Sequence, residues 1–465
     1  MRDIRLYNTL GRTLTNLQPL QAGRVGLYVC GPTVYDRASI GNFRAYIFAD
    51  VLRRMLEANG LQVTHVMNIT DVGHLTDDAS EGEDKMEVAS RKRQKTAWEV
   101  AEEYTRLFIN DMKRLNLESP QVMPRATDHI AEQIEMIKAM EERGFVYLTS
   151  DGVYFDTAKL PDYGKLSGQK TEDKAEGARV GVNKEKRNPA DFALWKFSPN
   201  DGVRHMEWDS PWGKGFPGWH IECSAMSEKY LGVPFDIHTG GIDHIAVHHE
   251  NEIAQTQAAR GVPEANIWMH NEFLLIDGGK MSKSLGNTYS LDDLEAKNIS
   301  PLAFRYFVLG AHYRTQLNFT WAAVAGAQNA LNKLIDVCRD LPAPTEADPK
   351  LVQQFLDRVS DDLDTAGALA QLWSVVNDSA LDGAAKAATI IAFDKVLGLA
   401  LEDVVNRPLK IPAEVQALLE EREAARATGN WTRSDELRDA IAALGFSVED
   451  TATGQRLRQS HNQVV

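Results

Sequence analysis

The alternation of apolar and polar residues divides the chain into strand-period and helix-period segments. Val25-Gly-Leu-Tyr-Val29 is an apolar run of strand length, and it enters Cys30-Gly-Pro-Thr33, a stretch of turn residues. From about Gly41 to Ala58 the apolar positions Tyr46, Ile47, Val51, Met55 and Leu56 recur at helical spacing, and Gly60 stops the pattern. Val63 to Ile69 returns to strand character. Strand, loop, helix, strand predicts the βαβ unit of an α/β, doubly wound, Rossmann-like nucleotide-binding domain.

A charged helix is expected from about Asp84 to Leu115. A second, from Asp128 to Arg143, carries Ile130, Ile134, Ile137 and Met140 on one face and stops at Gly144. Val146 to Asp156 reads as a hairpin around Asp151-Gly152. Residues 158–190 are rich in Gly, Lys and Glu without a period and are expected to form a mobile surface loop. Phe235-Asp-Ile-His238 is a strand with Thr239-Gly-Gly-Ile-Asp-His244 as the loop at its end, and His248 to Arg260 is a helix. Phe273 to Ile276 is a further strand before the turn Asp277-Gly278-Gly279, and Ser300-Pro301 marks a helix start. Trp321 to about Leu401 is Ala/Leu-rich and helical, interrupted between Leu341 and Lys350. After a linker from Pro408 to Pro412 come two short helices, about Glu414–Ala427 and Thr432–Leu444, and an extended piece from Phe446 to Val448.

Composition narrows the class. The 465 residues are 43% hydrophobic and 25% charged, which excludes a fibrous or disordered chain and leaves room for two to four domains. Three cysteines far apart are no disulfide framework and fit a reducing compartment. The first residues lack an apolar signal-peptide core and no apolar run reaches about 18 residues, so a soluble, cytoplasmic protein is expected. The net charge of −15 argues, at face value, against a polyanionic partner.

Four groups of residues carry candidate chemistry. Lys280-Met-Ser-Lys283-Ser284 follows a glycine turn, and two lysines three apart on a loop can swing as a pair onto a triphosphate. A bare Lys-x-x-Lys would be read as a solvated basic turn; the full five residues favour the functional reading. Ser39-Ile-Gly-Asn42 opens a helix, where unpaired N–H groups suit a phosphate and Gly41 admits close approach; alone, Ser39 is equally well an ordinary N-cap. Gly240-Gly241-Ile-Asp243 at a strand end suits a ribose or adenine, or is simply a tight turn with an Asp cap. Cys30 and Cys223, with an imidazole and a carboxylate, would satisfy zinc. Spacing alone does not choose among His220, His238, His244, His248, His249, Glu250 and Glu252, and buried thiols with a polar helix face are the bland alternative. Cys338 lacks such neighbours and is expected in the core.

Together with Tyr28-Val-Cys-Gly-Pro-Thr-Val-Tyr-Asp36, Asp191-Phe-Ala-Leu-Trp-Lys196, Trp208-Asp-Ser-Pro-Trp212, Pro217-Gly-Trp-His-Ile-Glu-Cys-Ser-Ala-Met226 and His248-His-Glu-Asn-Glu-Ile-Ala-Gln255, these motifs resemble the cysteinyl-tRNA synthetase family of class I aminoacyl-tRNA synthetases over essentially the whole chain. The resemblance implies a ligase that activates L-cysteine with ATP and Mg²⁺ to cysteinyl-adenylate and transfers it to the 3′ end of cysteine tRNA. It implies a zinc ion on Cys30, Cys223, His248 and Glu252 that takes the substrate thiolate. That choice is physically sensible, because an apolar pocket separates cysteine from serine poorly whereas zinc prefers a soft, readily deprotonated sulfur. By the same resemblance Trp219 and His238 line the cysteine pocket. Thr33, Ser39, Gly41, Asn42, Gly241 and Asp243 make the adenylate site. Lys283, assisted by Lys280, binds ATP. Arg426, Trp431, Asp435, Arg438 and Asp450 read the anticodon, where an aromatic ring can stack an unpaired base; without the resemblance they would be read as a core residue and a solvated face. The implied organisation is residues 1–116 and 213–315 as the two halves of the catalytic domain, 117–212 as a connective insertion, 316–405 as a helical bundle and 406–465 as the anticodon module, in a monomer.

Two other readings compete. A cysteine ligase of thiol biosynthesis would share the core and the zinc site but lack a full anticodon module. A binding paralogue without catalysis is motivated only by Ser39, which stands where the family has His in His-Ile-Gly-His or His-Ile-Gly-Asn. Serine donates a hydrogen bond with shorter reach and no charge, so Ser39→His should retain cysteine-dependent ATP–pyrophosphate exchange. Complete loss of exchange in that variant would show that this segment is not the helix-start motif.

Overall fold

The computed structural model describes residues 3–73, 84–168, 184–199, 204–282, 285–451 and 454–459. Its organising element is the strand Arg24–Val29, which pairs in parallel with Gln62–Met67 on one side and with Phe235–Gly241 on the other. Ala265–Asn271 extends the sheet beyond Phe235–Gly241, also in parallel. Leu27, Tyr28, Val29, Val66 and Ile237 are buried, as expected of parallel strands covered on both faces. The helix Ile40–Ala58 crosses from the first strand to the second, and Phe43, Ile47, Val51, Leu52 and Met55 bury its inner side.

The long charged helix expected from Asp84 is two helices, Lys85–Arg93 and Ala97–Arg114. Gln94 adopts a left-handed conformation at φ 55°, and Thr96 starts the second helix in a capping box with Glu99. The insertion holds an antiparallel sheet of Val146–Thr149, Gly152–Phe155, Phe192–Phe197 and Gly215–Pro217. Part of the expected surface loop is firmly seated: Leu160 and Leu166 are buried, and the Glu250 carboxylate accepts from the backbone N–H groups of Gly164, Leu166 and Ser167 at 2.9, 3.0 and 2.8 Å. Residues 169–183 of that segment lie outside the described residues.

Phe235–Gly241 is three residues longer than its apolar run, because Thr239 to Gly241 continue to pair with Met269 to Asn271. A single wide π-turn, Ile245–His249, precedes the helix Glu250–Arg260. Leu274–Ile276 lies between Gly279–Lys280 and Leu317–Phe319 in a small sheet. The bundle comprises Trp321–Asp340, Pro349–Val359, Thr365–Asn377 and Gly383–Leu397, with Phe355 stacked on Phe393 at 4.1 Å and Cys338 in its core. The last unit, Ala413–Ala427, Trp431–Ala443 and the hairpin Phe446–Thr451 with Gly454–Gln459, has its own core of Val415, Ile441 and Phe446. It meets the bundle through Arg458 Nε, 2.8 Å from Asp336 Oδ2. Among the described residues, no helix is long and apolar enough to cross a membrane.

A fully buried arginine, Arg305, ties the helix Ile40–Ala58 to the end of the bundle helix Gly383–Leu397. Arg305 Nη2 lies 2.6 Å from Asp50 Oδ2, Nε donates to the Leu397 carbonyl at 2.7 Å and Nη1 to that of Leu115 at 3.2 Å. Burial pushes the Asp50 carboxyl up, but Arg305 and Arg54 outweigh it and hold it below the usual carboxylate range. Arg305→Met leaves Asp50 with Arg54, 2.8 Å away, as its remaining cation and frees the Leu397 carbonyl, so it should cost about 2–3 kcal/mol in denaturant unfolding. An unchanged midpoint would show that Arg305 is not what joins the two helices.

Candidate active site

The sheet reverses its strand order at Arg24–Val29, since the chain leaves that strand for Gln62–Met67 on one side while Phe235–Gly241 arrives on the other. At such a switch point a crevice opens beyond the carboxyl ends of the strands. Here it is a cavity of about 550 Å³. Its walls include Cys30, Thr33, Ser39, Gly41, Asn42, Trp219, Cys223, Gly241, Asp243, His248 and Lys280, which brings most of the sequence-predicted catalytic-site residues into one space.

The helix start is preorganised. Ser39 Oγ accepts from Asn42 N at 3.3 Å, and Asn42 Oδ1 accepts from Ser39 N at 2.9 Å and Ser39 Oγ at 2.8 Å, a complete capping box. Ile40 N donates to the Tyr289 carbonyl at 2.8 Å, which ties this turn to the chain beyond the lysine loop. A Cβ on Gly41 would stand 3.2 Å from Met281 Sδ, so the loop packs directly on the helix start. Lys280 is exposed at the end of the turn. Asn287 braces the loop by donating to the Lys280 carbonyl at 3.1 Å and accepting from Ser282 N at 2.8 Å. Lys283 and Ser284 lie outside the described residues. Asn287 went unnoticed in the sequence, although Gly286-Asn287 right after the lysines was a turn signal.

Across the crevice, Gly31 passes so close to the neighbouring chain that a Cβ would lie 1.6 Å from the Asn68 carbonyl oxygen. Only glycine fits there, and it sets the path of Cys30. The donor atoms of Cys30, Cys223, His248 and Glu252 all lie within 4.8 Å of one another, and so do those of Cys30, His238, His249 and Glu252. His248 Nε2 stands 3.4 Å from Cys223 Sγ and 3.1 Å from Glu252 Oε1. These separations match the edges of a tetrahedron with zinc-to-ligand bonds of about 2.0–2.3 Å. Burial pushes the Cys30 thiol and the Glu252 carboxyl well up. At Cys223 a hydrogen bond with Cys30 pulls the thiol down, but burial and Glu252 carry it to about 11. Buried thiols and a buried carboxyl pushed up in this way suit a divalent cation, which would stabilise their ionised forms. The residues present therefore fit zinc.

The first set faces the cavity through Cys30, Cys223 and His248, whereas His238 and His249 are not in its wall. His238, expected to line the cysteine pocket, lies behind the donor cluster. It is fully buried, stacks on Trp268 at 4.4 Å and meets Glu252 Oε2 through Nε2 at 2.9 Å, orienting that carboxylate. His249 Nε2 contacts Cys30 Sγ at 3.2 Å, and its Nδ1 reaches His270 Nε2 at 2.7 Å. Glu250, one of the residues left open by spacing, is occupied by the backbone of the insertion. Trp219 sets its ring 4.5 Å from that of His248, at the cavity wall.

The sequence pattern of the class I (C) tRNA synthetase catalytic domain matches residues 16–329, and that of the cysteinyl-tRNA ligase anticodon-binding domain matches residues 410–458. The chain belongs to the cysteine–tRNA ligase family. It is 52% identical to cysteine–tRNA ligase 1 of Burkholderia lata over 98% of this chain and 96% of that protein. It is 42% identical to cysteine–tRNA ligase of Treponema denticola and 41% identical to that of Thermus thermophilus, in each case over 97% of this chain and 98% of the relative. The fold is also that of solved class I enzymes: a Mycobacterium tuberculosis methionyl-tRNA synthetase bound by methionyl-adenylate (TM-score 0.54, 15% identity, 82% of this chain and 92% of that one) and the ternary LeuRS–tRNA complex of Agrobacterium radiobacter K84 (0.58, 12%, 86% and 88%). As a family member the protein is a ligase, and the family's partners are tRNA, cysteine and ATP.

In the anticodon-binding domain of this family the five sequence-predicted residues form one surface. Asp450 lies 3.0 Å from Arg426 and 3.4 Å from Arg438, which also holds Asp435 at 3.0 Å. Trp431 is 59% exposed with the Arg426 guanidinium 5.3 Å from its ring centre. The exposure removes the reading of Trp431 as a core residue. The sequence did not reveal Arg422, fully buried and bidentate to Asp450 at 2.9 and 3.0 Å. That contact, first, holds the Asp450 carboxyl below its ordinary range.

Proposed function

We propose that this ligase selects cysteine through a zinc-held thiolate and activates it with ATP in the cavity at the switch point. The observation that carries the reading is the shared wall: the helix start, the glycine strand end, Lys280 and three of the four candidate zinc donors face one space. The capped helix start offers N–H groups at its positive dipole end to the triphosphate. Lys280, with Lys283 from the same motif, neutralises charge that grows on the phosphates as pyrophosphate departs. Gly241 lets the adenosine lie close to the strand end, and Asp243 offers a carboxylate to its hydroxyls. Trp219 closes the amino-acid end of the cavity against water.

Zinc on Cys30, Cys223, His248 and Glu252 would supply a Lewis-acid centre that accepts a thiolate far better than an alcohol. His238 holds Glu252 for that role. A hydroxyl in place of a thiol is otherwise a small difference, so the donor set takes the place of an editing step. At the far end, Trp431 and the Arg426, Arg438 and Asp450 group stack and read unpaired anticodon bases. This surface, and the domain that carries it, favour the tRNA ligase over a thiol-forming ligase.

The test is ATP–pyrophosphate exchange with cysteine, serine or no amino acid, before and after zinc removal. Exchange should require cysteine and metal, and Lys280→Ala should lower it roughly 10²–10³-fold. The purified protein should carry about one zinc per chain, and Cys223→Ala should lose most of it while remaining folded by circular dichroism. Exchange independent of both cysteine and metal would overturn the reading.

A further inference from the structure

Arg44 lies one turn into the helix Ile40–Ala58 and is 2% exposed. Among the described residues its hydrogen-bond partners are all main-chain carbonyls. Nη1 donates to the carbonyl of Phe273 and Nη2 to that of Thr315, with those of His312 and Tyr313 3.5 Å from Nη2. A buried cation facing dipoles is costly, and burial pushes its pKa down to about 10 against the pull of Glu272. A neutral residue would fill the same space at lower cost.

The position of these carbonyls supplies a reason. Phe273 immediately precedes Leu274–Ile276, the strand that turns at Asp277-Gly278 into Lys280. Thr315 lies two residues before the parallel partner strand Leu317–Phe319. One guanidinium thus binds the root of the strand that leads into the lysine loop and the chain entering its parallel neighbour, while its own helix carries the Ser39–Asn42 turn two residues away. Both ends face the same cavity.

We propose that Arg44 is a positioning residue for adenylate formation, holding the lysine loop at a set distance from the helix start so that both engage one triphosphate. This rests on the ATP-site reading above. The planar fork is what the task requires, since it spans two carbonyls on separate strands while an ammonium is a point charge. An adjoining cavity of about 20 Å³, lined by Arg44, Ile47, Val308 and Tyr313, has room for one water, so a lysine there can be hydrated and the chain can still fold.

The experiment is steady-state exchange kinetics on Arg44→Lys and Arg44→Met, normalised to active sites by the adenylate burst. Both should lower kcat/KM for ATP roughly 10- to 100-fold, the scale of a misplaced reacting group. KM for cysteine should stay within about 2-fold, because that end of the cavity is built on other strands. In a Lys280→Ala background Arg44→Lys should cost clearly less than it does in the wild type, since one of the two lysines the loop presents is gone. ATP kinetics at the wild-type level in Arg44→Lys, equal losses for ATP and cysteine, full additivity with Lys280→Ala, or failure of both variants to fold would each overturn the proposal. Should Lys280→Ala itself leave exchange intact, the ATP-site reading falls. If it removes exchange while Arg44→Lys behaves as wild type, only the positioning role falls.

Discussion

Everything at the site depends on the parallel pairing of Arg24–Val29 with Phe235–Gly241. The two strands are joined by Tyr28 opposite His238 and Val29 opposite Thr239, and their chains then diverge. The backbone N–H of Cys30 still reaches the Thr239 carbonyl at 3.2 Å, so the last hydrogen bond of the ladder sits at the lip of the crevice. Beyond it, Cys30 and the Gly240-Gly241 pair face each other across the opening. A shift of one residue in this register would turn His238 out of the sheet and carry Cys30 away from Cys223. The donor cluster is therefore a property of strand registry as much as of side-chain type.

What could be read from the sequence was the part governed by short-range rules. The helix Ile40–Ala58 announced itself by its apolar period, its Ser39 cap and Gly60. Ser300-Pro301 and the two C-terminal helices were equally plain. The strand Ala265–Asn271 was missed, because Asn-Ile-Trp-Met-His-Asn mixes polar and apolar residues and its pairing partner lies some 30 residues upstream. The break at Gln94 was invisible, since a non-glycine residue at positive φ leaves no local mark. The donors Cys30, Cys223, His248 and Glu252 were singled out only by family resemblance. Spacing treated His220, His249 and Glu250 as equals, and folding separates them: Glu250 is used by backbone amides, and His249 is turned toward Cys30 and His270.

The acidic total proved a poor guide to partners. Residues 406–465 hold eight Lys or Arg against nine Asp or Glu, so even the anticodon-binding domain is slightly acidic. Its arginines are gathered: Arg422, Arg426 and Arg438 all converge on Asp450. A sum over residues erases such an arrangement. The net charge of −15 instead disfavours loose attachment to any polyanion, which leaves binding to depend on a few placed contacts and makes it sensitive to salt.

The central strand's two partners are also separated in time. Gln62–Met67 is made soon after Arg24–Val29, but Phe235–Gly241 emerges about 200 residues later, roughly 10–40 s at ordinary rates of translation. Throughout that interval the first half of the sheet presents an open edge of Arg-Val-Gly-Leu-Tyr-Val with the Cys30 thiol at its end, the kind of surface that invites pairing with another chain. The nascent protein thus has the Cys30 thiol and this strand edge without their partners from Phe235–Gly241 until the second half is made.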